Sequence, residues 1–80
     1  MRLDKYLKVS RLIKRRTVAK QACDSGIISI NGKVAKSSTQ VQKDDIIQID
    51  FKTKPIRVRV LEIKEHALKD DAKQMYEIIE

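Results

Sequence analysis

Residues 17–34, TVAKQACDSGIISINGKV, change their apolar period in mid-course. Val18, Ala19, Ala22 and Cys23 recur at helical spacing, with Lys20, Gln21 and Asp24 on the other side. Thr17 stands where an N-cap is expected, because its hydroxyl can accept from the free amides of a first turn. Gly26 closes this helix as a residue that tolerates the left-handed C′ conformation. From Ile27 the pattern alternates: Ile28 and Ile30 share one face of a strand, and Asn31-Gly32 marks a tight hairpin because both residues accept positive φ. Lys33-Val34 begins the return strand.

Upstream, Leu3, Tyr6 and Leu7 fall at i, i+3 and i+4, which predicts a short helix over residues 2–9 with Arg2, Lys5 and Lys8 outward. Ser10-Arg11 breaks it, and Leu12 and Ile13 add apolar contacts before the run Lys14-Arg15-Arg16. Downstream, residues 36–40 read as a polar loop. Val41, Ile47, Ile49 and Phe51 outline a strand around the Asp44-Asp45 turn. Pro55 precedes a further strand over residues 56–63, in which Ile56, Val58 and Val60 alternate with Arg57 and Arg59. In the last segment Ala72, Met75, Tyr76 and Ile79 stand at helical spacing, so residues 69–80 read as a short closing helix or a frayed tail. Helices followed by strands, without regular alternation of the two, are an α+β pattern.

Eighty residues fit one small domain, which buries only about 60–65% of its unfolded surface. With no Trp, one Phe and two Tyr, the core must be built from Leu, Ile and Val, and aromatic platforms for base stacking are not expected. No apolar run reaches the length of a membrane span, and the charged start does not fit a secretion signal. The single Cys can form neither an internal disulfide nor a thiolate metal site, which points to the reducing cytosol. Catalytic and metal chemistry also lack a constellation. Asp44 and Asp45 have no companion His or Cys and suit a turn. His66 stands alone among charged residues, and Cys23 lies on an apolar helix face without a base to activate it. Neither an enzyme nor a cofactor is expected.

The charge, by contrast, is strongly patterned. Residues 1–36 carry ten Lys and Arg against two acids, whereas residues 61–80 carry three against six. A one-sided field of this kind attracts a polyanion, and without a membrane signature the polyanion is nucleic acid. Lys14, Arg15, Arg16 and Thr17 precede or open a helix, where cations oppose the helix dipole unless an anion compensates; this placement marks a phosphate site. Arg2, Lys5 and Lys8 recur every three residues and, with Arg11 and Lys20, supply a second row. Lys33, beside the Asn31-Gly32 turn, extends the patch. Such a surface reads phosphate positions and helix shape. Asp4, the lone acid of the first twenty residues, is expected to orient a neighbouring Arg or to favour the first helix.

The order Arg2-Leu3-Asp4, Leu7, Arg11, Arg16, Ala19, Gly26, Ile28, Ile30-Asn31-Gly32, Val34, Val41 and Asp45-Ile46-Ile47 resembles the S4-type RNA-binding domain over residues 1–50. One departure is Asp44, where that family commonly has Gly. The resemblance implies the S4-type (alpha-L) fold, in which two N-terminal helices pack on a small, twisted, mostly antiparallel sheet and a basic helical face grips structured RNA. On this reading residues 1–63 form the RNA-binding domain with its sheet extension, and residues 64–80 an acidic helix or tail on or following it. Catalytic domains that often accompany S4 modules find no room in 80 residues.

Among free-standing members the chain is similar to the compact bacterial branch of the ribosome-associated heat-shock S4 proteins, since a long basic C-terminal extension is missing. That resemblance implies a factor of ribosome-associated quality control, here expected to be a monomer. It would bind ribosomal RNA of the large subunit and peptidyl-tRNA, and support C-terminal tailing by an RqcH-type factor. A general ribosome-assembly role, or a regulatory module that binds an acidic protein, are the alternatives. Arg2 and Arg16 stand at opposite ends of the basic stretch and both match the family's pattern, so both are expected to anchor a bridge between two RNA surfaces.

Overall fold

The computed structural model describes residues 1–79. Two helices, α1 (Leu3–Val9) and α2 (Arg16–Asp24), precede β1 (Ile28–Ile30), β2 (Lys33–Val34), β3 (Ile46–Asp50) and β4 (Pro55–Val60), and a single turn of helix, α3 (Lys69–Ala72), leads into β5 (Tyr76–Ile79). The strands form one sheet in the order β2-β1-β3-β4-β5, with every neighbouring pair antiparallel. This is the α+β architecture that the sequence pattern and the S4 resemblance imply.

The helix stripes and the inner face of the sheet meet in one core. Leu3, Tyr6 and Leu7 of α1 are fully buried, as are Ile28, Ile47 and Val58 of the three central strands. α2 contributes Ala19 and Cys23, while Val18, expected on the buried side, is 45% exposed. The phase of α2 explains the difference. Arg16, Ala19 and Cys23 lie at i, i+3 and i+7 on one stripe, and aiming that stripe at α1 turns Val18 outward.

The same phase corrects the start of α2. The N-cap is Arg15, in extended backbone, and no side chain caps the helix; Thr17 lies inside the first turn. At the other end the expectation holds: Gly26 has φ +81° and its N–H donates to the Cys23 carbonyl at 3.0 Å. The hairpin is also as read. Asn31 and Gly32 have φ +51° and +85°, and Ile30 pairs with Lys33 across a two-residue turn.

Asn31 has a second task that no local pattern announces. Its side-chain amide donates to Asp45 at 3.1 Å, and its carbonyl oxygen accepts the Ile46 N–H at 3.0 Å. Asp45 in turn accepts the Gln42 N–H at 2.8 Å, so its carboxylate is a turn clasp. Asp44, where the family commonly has Gly, has φ +73°, a left-handed conformation in which glycine is unstrained and Asp is among the tolerated exceptions. Val41 and Phe51 fall outside β3. Val41 instead donates its N–H to the Met1 carbonyl at 2.8 Å, and Leu3 donates to Thr39, which ties the amino terminus to the loop.

β4 stops at Val60, short of the expected Ile63: the Leu61 N–H still makes the ladder bond to the Met75 carbonyl at 2.8 Å beside the Val60–Tyr76 pair, but the Glu62 N–H falls back on the same carbonyl at 3.2 Å and no further pair follows. The largest departure lies in the partner strand. The pattern predicts a helix or tail over residues 69–80, but among the described residues of that segment helix extends only over Lys69–Ala72, and Tyr76–Ile79 pairs with Arg57–Val60 as the outer strand; residue 80 lies outside the described residues. Met75 sits fully buried in the core, and its carbonyl also accepts the Tyr6 hydroxyl at 2.7 Å. Without β5, β4 would present a row of unpaired amides and carbonyls. A short isolated helix is marginal, so pairing with the open edge outweighs the helical spacing. Burial pushes the Tyr6 hydroxyl well above its ordinary pKa, and neighbouring Tyr76 adds to the rise, so it remains a neutral donor.

Candidate nucleic-acid interface

The basic side chains from the two N-terminal elements converge through a turn that is strained. α1 ends at Ser10, and Arg11 follows with φ +64°, a conformation that favours glycine. An arginine held there costs on the order of 1 kcal/mol against glycine, and strain of that kind clusters at functional positions. The turn sends the chain back so that Lys14 and Arg16 return beside Lys5 and Lys8.

Between this turn and the C-terminal segment runs an open groove lined by Lys5, Lys8, Arg11, Lys14 and Arg16 on one side. Five of the ten expected site residues therefore meet in one place. Arg2 lies outside the lining but is tied to Arg16 through Asp4. Arg15, Thr17, Lys20 and Lys33 are exposed and do not line the groove.

Asp4 is the organising residue. Although charged, it is only 3% exposed. Its carboxylate receives the Arg2 Nε at 3.3 Å and the Arg16 Nε at 3.4 Å, and one oxygen also accepts the Lys5 N–H at 2.8 Å. The expectation that Asp4 orients a neighbouring Arg is thus met twice over. Arg2 and Arg16, far apart in the basic stretch, flank this one carboxylate because α2 folds back along α1. Both guanidinium groups remain about half-exposed, which leaves N–H donors free for phosphate.

The opposite wall of the groove was missed in the sequence. Glu65, His66, Lys69, Lys73 and Tyr76 all line it, and the Glu65 carboxylate is ion-paired with the Lys5 ammonium. The hydrogen bond it accepts from Lys5, with the ammonium charge, holds the Glu65 carboxyl below the usual carboxylate range. A segment with net negative charge gave no signal of a basic wall; only the return of the chain along α1 could reveal one.

Among the described residues no cluster of His, Cys, Asp and Glu could hold a metal ion, and no helix is long and apolar enough to cross a membrane. Burial, reinforced by the negative charges of Asp4 and Asp24, pushes the Cys23 thiol up to about 11, so it is protonated at neutral pH. Cys23→Ser is expected to cost about 1–3 kcal/mol in urea unfolding, since the hydroxyl would be buried without a good partner. RNA binding by the folded variant should be unchanged; its loss would place Cys23 in the site.

Comparison with known proteins agrees with this geometry. The family model for the S4 domain matches residues 1–47. The RQC P-site tRNA stabilizing factor of Streptococcus pneumoniae is 58% identical over 79 residues, covering 99% of this chain and 90% of that protein. The factor of the same name from Bacillus subtilis is 52% identical over 79 residues, with 99% and 92% covered. Among solved structures, Heat Shock Protein 15 of Vibrio cholerae superposes with a TM-score of 0.91 at 26% identity, covering 99% of this chain and 81% of that one. With an Arg-Asp-Arg arrangement in an S4 fold and relatives matched over nearly their whole length, the chain belongs to the S4-domain family and, within it, to the RQC P-site tRNA stabilizing factors.

Proposed function

We propose that the chain is a non-catalytic RNA-binding factor of bacterial ribosome-associated quality control that steadies P-site peptidyl-tRNA on a large ribosomal subunit. The observation that carries this reading is the pair Arg2 and Arg16 held on the buried Asp4 carboxylate at the rim of a cationic groove. Fixed guanidinium groups with free donors suit a phosphodiester backbone, because less side-chain freedom is lost when the phosphate arrives. The RNA-binding residues in this reading are Arg2, Lys5, Lys8, Arg11, Lys14 and Arg16 in and beside the groove, with Arg15, Thr17, Lys20 and Lys33 as outlying contacts. Residues 1–63 form the RNA-binding domain with its sheet extension, and residues 64–80, acidic in sum, belong to the same domain, packed on it through Met75 and β5.

The relatives' shared name supports the P-site tRNA assignment. In the finer reading the factor acts as a cytoplasmic monomer. It touches large-subunit ribosomal RNA and peptidyl-tRNA together, and so supports C-terminal tailing by an RqcH-type factor without supplying chemistry. The test is binding to large subunits that carry peptidyl-tRNA, measured over a salt series. Four to seven phosphate contacts give a log–log slope of roughly −3 to −6. A flat response, or co-sedimentation that survives complete RNase digestion, would favour an acidic protein partner instead.

A further inference from the structure

The segment from Leu61 onward is acidic in sum, yet its charges are sorted in space. Glu62 is paired with Lys64, and Glu77 with Arg59 at 2.6 Å across the β4–β5 ladder. Asp70 and Asp71 do not line the groove, whereas Lys69 and Lys73 do. Those two lysines stand at i and i+4, Lys69 opening the single turn of α3 and Lys73 capping its end in helical backbone, which places both on one side. The lining of the groove then holds seven cationic side chains, Lys5, Lys8, Arg11, Lys14, Arg16, Lys69 and Lys73, against the one carboxylate of Glu65. Fully buried Met75 and nearly buried Ala72 anchor α3 in the core, so the second wall is held in place by packing.

We propose that Lys69 and Lys73 form a second phosphate-binding wall, and that a phosphodiester strand of structured RNA lies in the groove between α3 and the α1–α2 turn. A cleft with cations on both walls focuses its field more strongly than a flat basic face. It also contacts phosphates from two sides, which favours a folded RNA over a flexible single strand. Glu65 occupies the place of one such phosphate in the free protein, as the anion on Lys5.

The experiment, which presupposes that the chain binds RNA, compares four full-length proteins on large subunits carrying peptidyl-tRNA over a salt series: wild type, Lys69→Gln/Lys73→Gln, Lys52→Gln/Lys54→Gln and Arg16→Ala. Lys52 and Lys54 are exposed between β3 and β4 and do not line the groove, so the second pair removes the same charge elsewhere. Gln has nearly the helix propensity of Lys, and both lysines, at the start and the C-cap of α3, are exposed, so thermal melts should match wild type. Lys69→Gln/Lys73→Gln is expected to weaken binding on the order of tenfold and to flatten the log–log slope by about 1.4–1.8, the loss of two phosphate contacts, with the control pair near wild type. Equal effects of the two pairs, or none from either, would overturn the second wall while a loss in Arg16→Ala upheld RNA binding. No loss in any variant, Arg16→Ala included, would overturn both readings.

Discussion

Arg16→Ala is expected to weaken association with large subunits carrying peptidyl-tRNA by about 10- to 100-fold, the range for losing charged hydrogen bonds to phosphate. The domain should stay folded, because Asp4 keeps Arg2 and the Lys5 N–H as partners. Arg2→Ala is expected to cause a loss of similar size, since both guanidinium groups belong to one site. The double variant should lose less binding than the two single losses combined, as for residues in one network. It should also lose stability, on the order of 1–3 kcal/mol, because a buried carboxylate would be left with a single backbone donor. That figure lies below the cost of breaking a fully buried pair because the arginines are half-exposed. Sedimentation and the length of C-terminal tails, compared in cells that lack the native copy, provide the readout. Wild-type values for a folded Arg16→Ala would refute the proposed mechanism.

Met75→Ala is expected to cost about 2–5 kcal/mol, the range for truncating a fully buried methionine. For 80 residues the whole stability is roughly 4–12 kcal/mol, so the variant should be partly or wholly unfolded near physiological temperature. Ile78→Ala in the adjoining strand is the internal control. Ile78 is 69% exposed, and its truncation should stay within about 0.5 kcal/mol. Urea midpoints of the two variants decide between a C-terminal segment built into the core and one that merely follows it. Equal and small effects would mean that β5 does not hold the fold together.

Where periodicity and turn chemistry act over short distances, the chain is legible without its structure. Leu3, Tyr6 and Leu7 specify α1, and Gly26 stops α2. Asn31-Gly32 makes a hairpin because two successive positive φ values are cheap for those residues. The basic character of residues 1–20 is a property of composition and survives any folding. Boundaries fared less well. Thr17 looked like an N-cap, but the start of α2 is set by the need to turn Arg16, Ala19 and Cys23 toward α1, and a cap preference of about 1 kcal/mol cannot oppose that burial.

The sequence by itself determined the class of partner, the helix–helix–hairpin order and most of the core, because each depends on charge totals or on contacts a few residues apart. Tertiary structure alone decided three further matters. It placed Arg2 beside Arg16 on a buried Asp4, it made Tyr76–Ile79 a strand by offering the open edge of β4, and it brought Lys69 and Lys73 opposite the basic turn. All three join residues that are far apart along the chain, and local propensity carries no information about which distant edge or carboxylate a segment will meet.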